Sequence, residues 1–217
     1  MSDHQFNNNE IYFSGSRPEI AAQVPLGTNK VLDVGCGFGG LGKLLRERKV
    51  QKLYGIELNP AASSYLEEIY DCYWIGSVED MSLSGEFSGF NCIIFADVLE
   101  HLLDPWSVLK RYSAHLTKDG KIIASIPNAR NLGLIYSLLF KGRWTYGDSG
   151  LLDRTHLRFF TRKEIEVLFS QAGLKIEKLE LNRDKYSWIR RVLTLIPRML
   201  IPDLEVCQFI IVAKKID

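Results

Sequence analysis

The stretch VLDVGCGFGG, Val31 to Gly40, carries the densest chemistry in this sequence. Gly35, Gly37 and Gly40 fit G-x-G-x-x-G, a loop whose bare Cα atoms let backbone N–H groups approach a nucleotide-like ligand. Asp33 sits inside the preceding apolar run, two residues before the first glycine. Glu57 lies 22 residues beyond Gly35, about where an acid binds ribose hydroxyls in a dinucleotide site.

Two ligand classes compete for this loop. A dinucleotide would place its pyrophosphate on the glycines, helped by a helix N-terminus. Asp33 opposes that, because a carboxylate repels a pyrophosphate and attracts a cation. S-adenosyl-L-methionine carries an ammonium, a sulfonium, two ribose hydroxyls and an adenine, and no phosphate. Asp33 would then serve its amino-acid end, directly or through water. Gly35, Cys36 and Gly37 would pass along the methionine portion, and Glu57, followed by Leu58, would take the ribose. The plainer reading makes Asp33 a turn former at a strand end. Further on, Gly76 to Asp80 (GSVED) is a polar turn in which Ser77 and Val78 could hold an adenine. FADVLEHLLDP, Phe95 to Pro105, brings Asp97 and His101, and KDGKIIASIPN ends in Asn128.

These residues need elements to hold them. Short apolar runs at Val31–Val34, Leu53–Glu57, Cys72–Ile75, Asn91–Ala96 and Lys121–Ile126 read as strands. Helical patterns separate most of them: Leu41–Arg48, Pro60–Tyr70, and a helix capped at Asp104-Pro105 that carries Leu116 and stops near Asp119-Gly120. Thr161 with Glu164 forms a capping box for a helix through Ala172. Leu174–Glu180 and Gln208–Ala213 are the last strands, with an antiparallel edge expected between them. Alternation of this kind implies an α/β domain with a parallel sheet covered on both faces. Ligands of such sheets bind at the carboxyl ends of the strands. Two segments interrupt the rhythm, 129–160 and 182–206, and residues 10–29 form an N-terminal cover.

Bulk properties narrow the function. The 217 residues suit one domain, 1–217, and 27 Lys+Arg against 26 Asp+Glu leave no basic field for nucleic acid. Four scattered cysteines without C-x-x-C read as buried thiols in a reducing cytoplasm. The N-terminal MSDHQFNNNE lacks the apolar core of a signal peptide, and no apolar run is long enough to span a bilayer.

Taken in order, VLDVGCGFGG, YGIELNP, GSVED and FADVLEHLLDP resemble the motifs of class I S-adenosylmethionine-dependent methyltransferases, over about Lys30 to Gly173. That resemblance implies a Rossmann-like three-layer sandwich with a seven-stranded sheet in the order 3-2-1-4-5-7-6, strand seven antiparallel. One departure is Ser77, where many relatives carry an acid. The segment ending DRTHLRFFT, Asp153 to Thr161, looks like a branch found with bacterial polysaccharide enzymes. More loosely it is similar to ubiquinone-biosynthesis O-methyltransferases. The first implies a saccharide or lipid-linked saccharide acceptor, which is the leading expectation, and the second a phenol as the alternative. A nucleotide-dependent oxidoreductase and a cofactor-binding module without catalysis are the readings from other classes.

A hydroxyl acceptor must lose its proton, so a base is expected, and His101 and His156 are the candidates. The plain alternatives are a helix cap for His101 and a structural link for His156. Asp153 could orient His156. Asn128, Tyr136 and Trp144 are the expected substrate contacts, with loop anchoring as the alternative for the aromatics. No His/Asp/Glu set has the sequence spacing of metal ligands, so no metal is expected. Finally, KYSWIRRVLTLIPRMLIP, 185–202, is amphipathic. It suits peripheral membrane contact at the inner surface, or packing on the domain or on a second copy in a homodimer.

Overall fold

The computed structural model describes residues 15–82, 85, 87–183 and 203–216. Its elements run in chain order: α1 (Pro18–Ala21), β1 (Lys30–Val34), α2 (Gly40–Glu47), β2 (Lys52–Glu57), α3 (Ser63–Ile69), β3 (Cys72–Ile75), β4 (Phe90–Ala96), α4 (Pro105–Ser113), β5 (Leu116–Pro127), α5 (Leu132–Lys141), α6 (Arg162–Gln171), β6 (Leu174–Arg183) and β7 (Val206–Lys215). The seven strands form one sheet in the order β3-β2-β1-β4-β5-β7-β6. Strands β1 to β5 pair in parallel, and β7 runs antiparallel to both neighbours, with Ser125 opposite Ile210 and Leu179 opposite Ile211. The expected Rossmann-like order and its antiparallel strand are therefore present.

Period-two alternation decides what each strand residue meets. Leu32, Val34, Ile93 and Phe95 face one core with Leu109, Tyr112, Leu168 and Phe169 of α4 and α6. Val31, Cys92 and Ile94 face the other, with Leu41 and Leu45 of α2 and Leu66 and Tyr70 at α3. Asp33 shares the face of Val31, which sends its carboxylate towards Tyr70. Strand order reverses between β1 and β4, and a crevice opens at such a switch point. The loops after β1, β2 and β4 meet there.

Two expectations about boundaries are corrected. The helix after Asp104 ends at Ser113, and Leu116 opens β5 opposite Phe90 instead of continuing the helix. Gly120 is then a strand residue, not a helix cap. A Cβ there would stand 2.8 Å from the Phe90 carbonyl oxygen, so close passage of two backbones requires the glycine. Segment 129–160 contains a helix, α5, started by Asn131, whose side chain accepts from Gly133 N at 2.9 Å, and stopped by left-handed Gly142. The amphipathic segment 185–202 lies outside the described residues. Among those described, no helix is long and apolar enough to cross a membrane.

Candidate functional site

The loop after β1 is pinned to β2. Gly35 N and Cys36 N both donate to the Ile56 carbonyl, at 2.8 and 3.1 Å. Glu57, at the tip of β2 and 4% exposed, accepts from Gly37 N at 2.7 Å and from Asn59 N at 2.8 Å. Each carboxylate oxygen therefore keeps a further lone pair for a hydroxyl. Gly35 has φ +69°, and a Cβ there would stand 2.6 Å from the Val98 side chain. The glycine loop and the loop after β4 are thus in direct apposition. Gly76 N donates to the Glu57 carbonyl at 2.7 Å, which brings the turn after β3 to the same edge. In that turn the Ser77 hydroxyl accepts from Glu79 N, and the Val78 carbonyl accepts from Arg111 and the Tyr112 hydroxyl. Leu58 is exposed beside them and Val78 is buried.

Asp33 is 1% exposed and accepts a 2.7 Å hydrogen bond from the Tyr70 hydroxyl. It offers no surface for direct ligand contact, and its influence acts through the field. Burial pushes it up to about 7 from an ordinary 3.8, against the lowering effect of Tyr70. A raised folded-state value means that its contribution to stability is full below the unfolded value and is lost as pH rises through about 7. A cationic ligand reverses that preference, since it favours the ionised carboxylate and expels the proton. Affinity for S-adenosylmethionine is expected to rise about tenfold from pH 6 to pH 8, and Asp33→Asn to flatten the profile, as read by calorimetry.

Beyond β4, Asp97 adopts φ +54°, a strained value for a non-glycine residue. Its amide donates to Ser125 Oγ at 3.0 Å, and Ser125 Oγ donates back to Asp97 Oδ1 at 2.8 Å. Arg17 pairs with the other carboxylate oxygen, and Gln208 also donates to Oδ1. Arg17 was not singled out from the sequence. It stands 80 residues from Asp97, and no local pattern announces that pairing.

The two candidate bases meet. The His101 and His156 rings stand perpendicular with centroids 4.6 Å apart. His101 Nδ1 lies 3.0 Å from Thr155 Oγ1 and 3.2 Å from the Thr155 carbonyl. Thr155 Oγ1 spends its own proton on Asp153 Oδ1 at 2.7 Å, so both Thr155 oxygens accept and His101 Nδ1 carries the proton. His156 Nδ1 faces the Leu151 carbonyl at 3.1 Å, which likewise can only accept. The Nε2 atom of each neutral ring is left with the lone pair. Burial, then the neighbouring His156, holds His101 below its ordinary value, which keeps it neutral near pH 7. Asp153 orients Thr155, and through it His101, in place of the expected support for His156.

Backbone clamps hold this arrangement. Leu157 N and Arg158 N both donate to the Glu100 carbonyl at 2.9 Å, and Arg158 also reaches the Leu103 carbonyl. Asn128, expected at a substrate hydroxyl, is fully buried. It donates to the Asp203 and Val206 carbonyls at 2.8 and 2.9 Å and accepts from Arg130 N at 2.9 Å, so its amide organises backbone. Trp144 packs against Phe159 at 5.3 Å, and Phe159 reaches His156 at 6.5 Å, which puts Trp144 on the flank of the histidine pair. Tyr136 stacks on Phe140 of its own helix and is half exposed.

Comparisons with known proteins show the family. A family model described as a methyltransferase domain matches residues 13–179. The chain belongs to that family, and is an S-adenosylmethionine-dependent methyltransferase of class I. This removes the oxidoreductase reading. In fold it is similar to an S-adenosylmethionine-dependent methyltransferase from Archaeoglobus fulgidus, with a TM-score of 0.66, 21% identity, and 98% of this chain and 100% of that one covered. A second such structure, from Mesorhizobium loti, has a TM-score of 0.63 at 14% identity, covering 91% of this chain and 96% of that one. Among curated proteins it is similar to the ubiquinone biosynthesis O-methyltransferase of Xylella fastidiosa, 28% identical over 182 residues, a match spanning 73% of this chain and 65% of that enzyme. The Xanthomonas euvesicatoria enzyme of the same name is 28% identical over 191 residues, 80% of this chain and 72% of its own length.

Proposed function

We propose that this chain transfers the methyl group of S-adenosylmethionine to a hydroxyl oxygen. The donor lies across the tips of β1 and β2, its methionine portion along Gly35–Gly37, its ribose on Glu57 and its adenine between Leu58 and the Ser77–Val78 turn. Asp97 closes the site from β4. The single observation that carries the oxygen reading is the meeting of His101, on the loop after β4 whose Val98 lies against Gly35, with His156 from the segment after β5. Methyl transfer from a sulfonium is an in-line displacement of an activated donor, so positioning supplies much of the rate, about 7–11 kcal/mol where reactants are well oriented. What remains is the acceptor proton, and the two imidazoles, each with its Nδ1 facing a carbonyl oxygen, can withdraw it.

A phenolic hydroxyl is the favoured acceptor, since the curated relatives carry the name of an O-methyltransferase of ubiquinone biosynthesis. The saccharide reading rests on a narrower observation. Trp144 and Phe159 are partly exposed beside the histidine pair, and sugar rings stack on such side chains. Incubation with labelled S-adenosylmethionine and parallel panels of catechols and lipid-linked sugars decides. Methyl incorporation into the catechols alone supports the first reading, and into the sugars alone the second. Methylation of nitrogen or carbon acceptors in place of hydroxyls would overturn the proposal.

A further inference from the structure

Tyr70, the residue that ends α3, is buried, and its hydroxyl stops against the Asp33 carboxylate, 37 positions away in sequence. Its ring gets there through a slot left by missing side chains. Gly55 is the β2 residue paired with Asp33. A Cβ on Gly55 would stand 3.0 Å from the Tyr70 ring and 3.0 Å from Cys36 Sγ. A Cβ on Gly42 of α2 would stand 2.5 Å from the Tyr70 hydroxyl oxygen. Neither glycine belongs to the G-x-G-x-x-G pattern, so approach of a ligand to that loop does not call for them. Close packing on both sides leaves the hydroxyl in one place, 2.7 Å from Asp33 Oδ2.

We propose that Tyr70 is a positioning residue for the methyl donor: its hydroxyl fixes Asp33 in the orientation and the ionised form that attract the cationic amino-acid end of S-adenosylmethionine. The inference rests on the donor placement proposed above. A hydrogen bond donated to a carboxylate favours its charged form. Tyr70 is always the donor, because burial, and next the charge on Asp33, hold its phenol protonated well above the ordinary range.

Other groups face Asp33 from the surrounding elements. Cys36 of the glycine loop and Cys92 of β4 are kept as neutral thiols, chiefly by burial. Glu57 at the tip of β2 opposes the charge on Asp33, and Arg17, ahead of α1, favours it. Arg17 acts from a distance, since its guanidinium is held by Asp97 and Glu19. Among the described residues, Tyr70 alone donates a side-chain hydrogen bond to Asp33. Removing that hydroxyl therefore leaves burial less opposed, and Asp33 keeps its proton to higher pH.

The test is calorimetric titration of the full chain with S-adenosylmethionine between pH 6 and pH 9, beside Tyr70→Phe, Asp33→Asn and the double variant. Dividing variant by parent affinity at each pH removes the ligand's own titration. Tyr70→Phe is expected to move the rise in affinity upward by about one pH unit. It then binds about two- to fivefold more weakly than the parent near pH 7.5, and the two converge by pH 9. In the Asp33→Asn background the same change is expected to have no effect at any pH, since the hydroxyl has no charge left to favour. A tyrosine that only fills space predicts a uniform loss across the range. A uniform loss, an unmoved profile, or an equal effect in the Asp33→Asn background overturns the proposal. A thermal melt reports folding. Should Tyr70→Phe fail to fold, Gly42→Ala carries the same expectation, because its methyl displaces the hydroxyl from within a helix that favours alanine. Parent-like pH dependence in Asp33→Asn would overturn the donor placement beside Asp33 as well. A flat Asp33→Asn profile with an unmoved Tyr70→Phe profile would count against the role of Tyr70 alone.

Discussion

Replacing His156 by alanine is expected to lower methyl transfer by about 10²–10⁴-fold while leaving affinity for S-adenosylmethionine almost unchanged. The split follows from position. The donor is held by the loops after β1, β2 and β3, whereas His156 arrives from the long segment after β5 and touches His101. Loss of its ring removes one of two groups able to manage the acceptor proton, and leaves Glu100 buried beside a gap. Single-turnover rates and calorimetry on the same variant measure both quantities. A variant that keeps its rate would make His156 a structural link between loop and sheet. Thr155→Val would then be informative in a smaller way, since it removes one acceptor of the His101 Nδ1 proton and leaves the Thr155 carbonyl.

The second large effect belongs to Glu57. Glu57→Ala is expected to weaken S-adenosylmethionine binding by about 1–3 kcal/mol, roughly 5- to 150-fold, with little change in the rate of methyl transfer at saturating donor. Two losses combine in that figure. Ribose hydroxyls lose a charged acceptor, and Gly37 N and Asn59 N lose the carboxylate that shapes the loop around the donor. Glu57→Gln separates them. Its amide oxygen can still accept from one backbone N–H, but its NH₂ opposes the other. It should fall between parent and alanine in equilibrium binding. Parent-like affinity in Glu57→Ala would place the ribose elsewhere.

Much of this architecture was legible because the signals are local. Val31–Val34 and Leu53–Glu57 are apolar runs closed by glycine, asparagine and proline, and each became a parallel strand with an acid on or at its tip. Boundaries failed where a tertiary contact overrode a local one. Leu116 suits the apolar face of a helix, yet pairing with Phe90 draws it into β5, and Gly120 serves the passage of two backbones instead of a cap. The site divides in the same way. Glu57 could be read from its distance to the glycines. Asp33 could be read as important, but its contact with Tyr70 follows from strand alternation and from where α3 ends.

The least legible residues are those whose role is made by chain segments that meet only in the fold. Asn128 carries a polar amide next to a strand end and reads as a substrate contact, but folding sets the Asp203 and Val206 carbonyls around it. Arg17 holds Asp97 across 80 residues. Glu100 stood in plain sight within FADVLEHLLDP, and only its buried carboxylate, without a hydrogen-bond partner among the described residues, sets it apart. Asp153 was expected on His156 and serves Thr155, because its carbonyl, not its carboxylate, faces the His156 amide.

The most direct measurement is a crystal structure of the full chain with S-adenosylhomocysteine. The account predicts both ribose hydroxyls within hydrogen-bond distance of the Glu57 carboxylate, the amino-acid portion along Gly35–Gly37, and the sulfur facing the loop that carries Asp97 and His101. Density for the ligand elsewhere, with the tips of β1 and β2 empty, would contradict it.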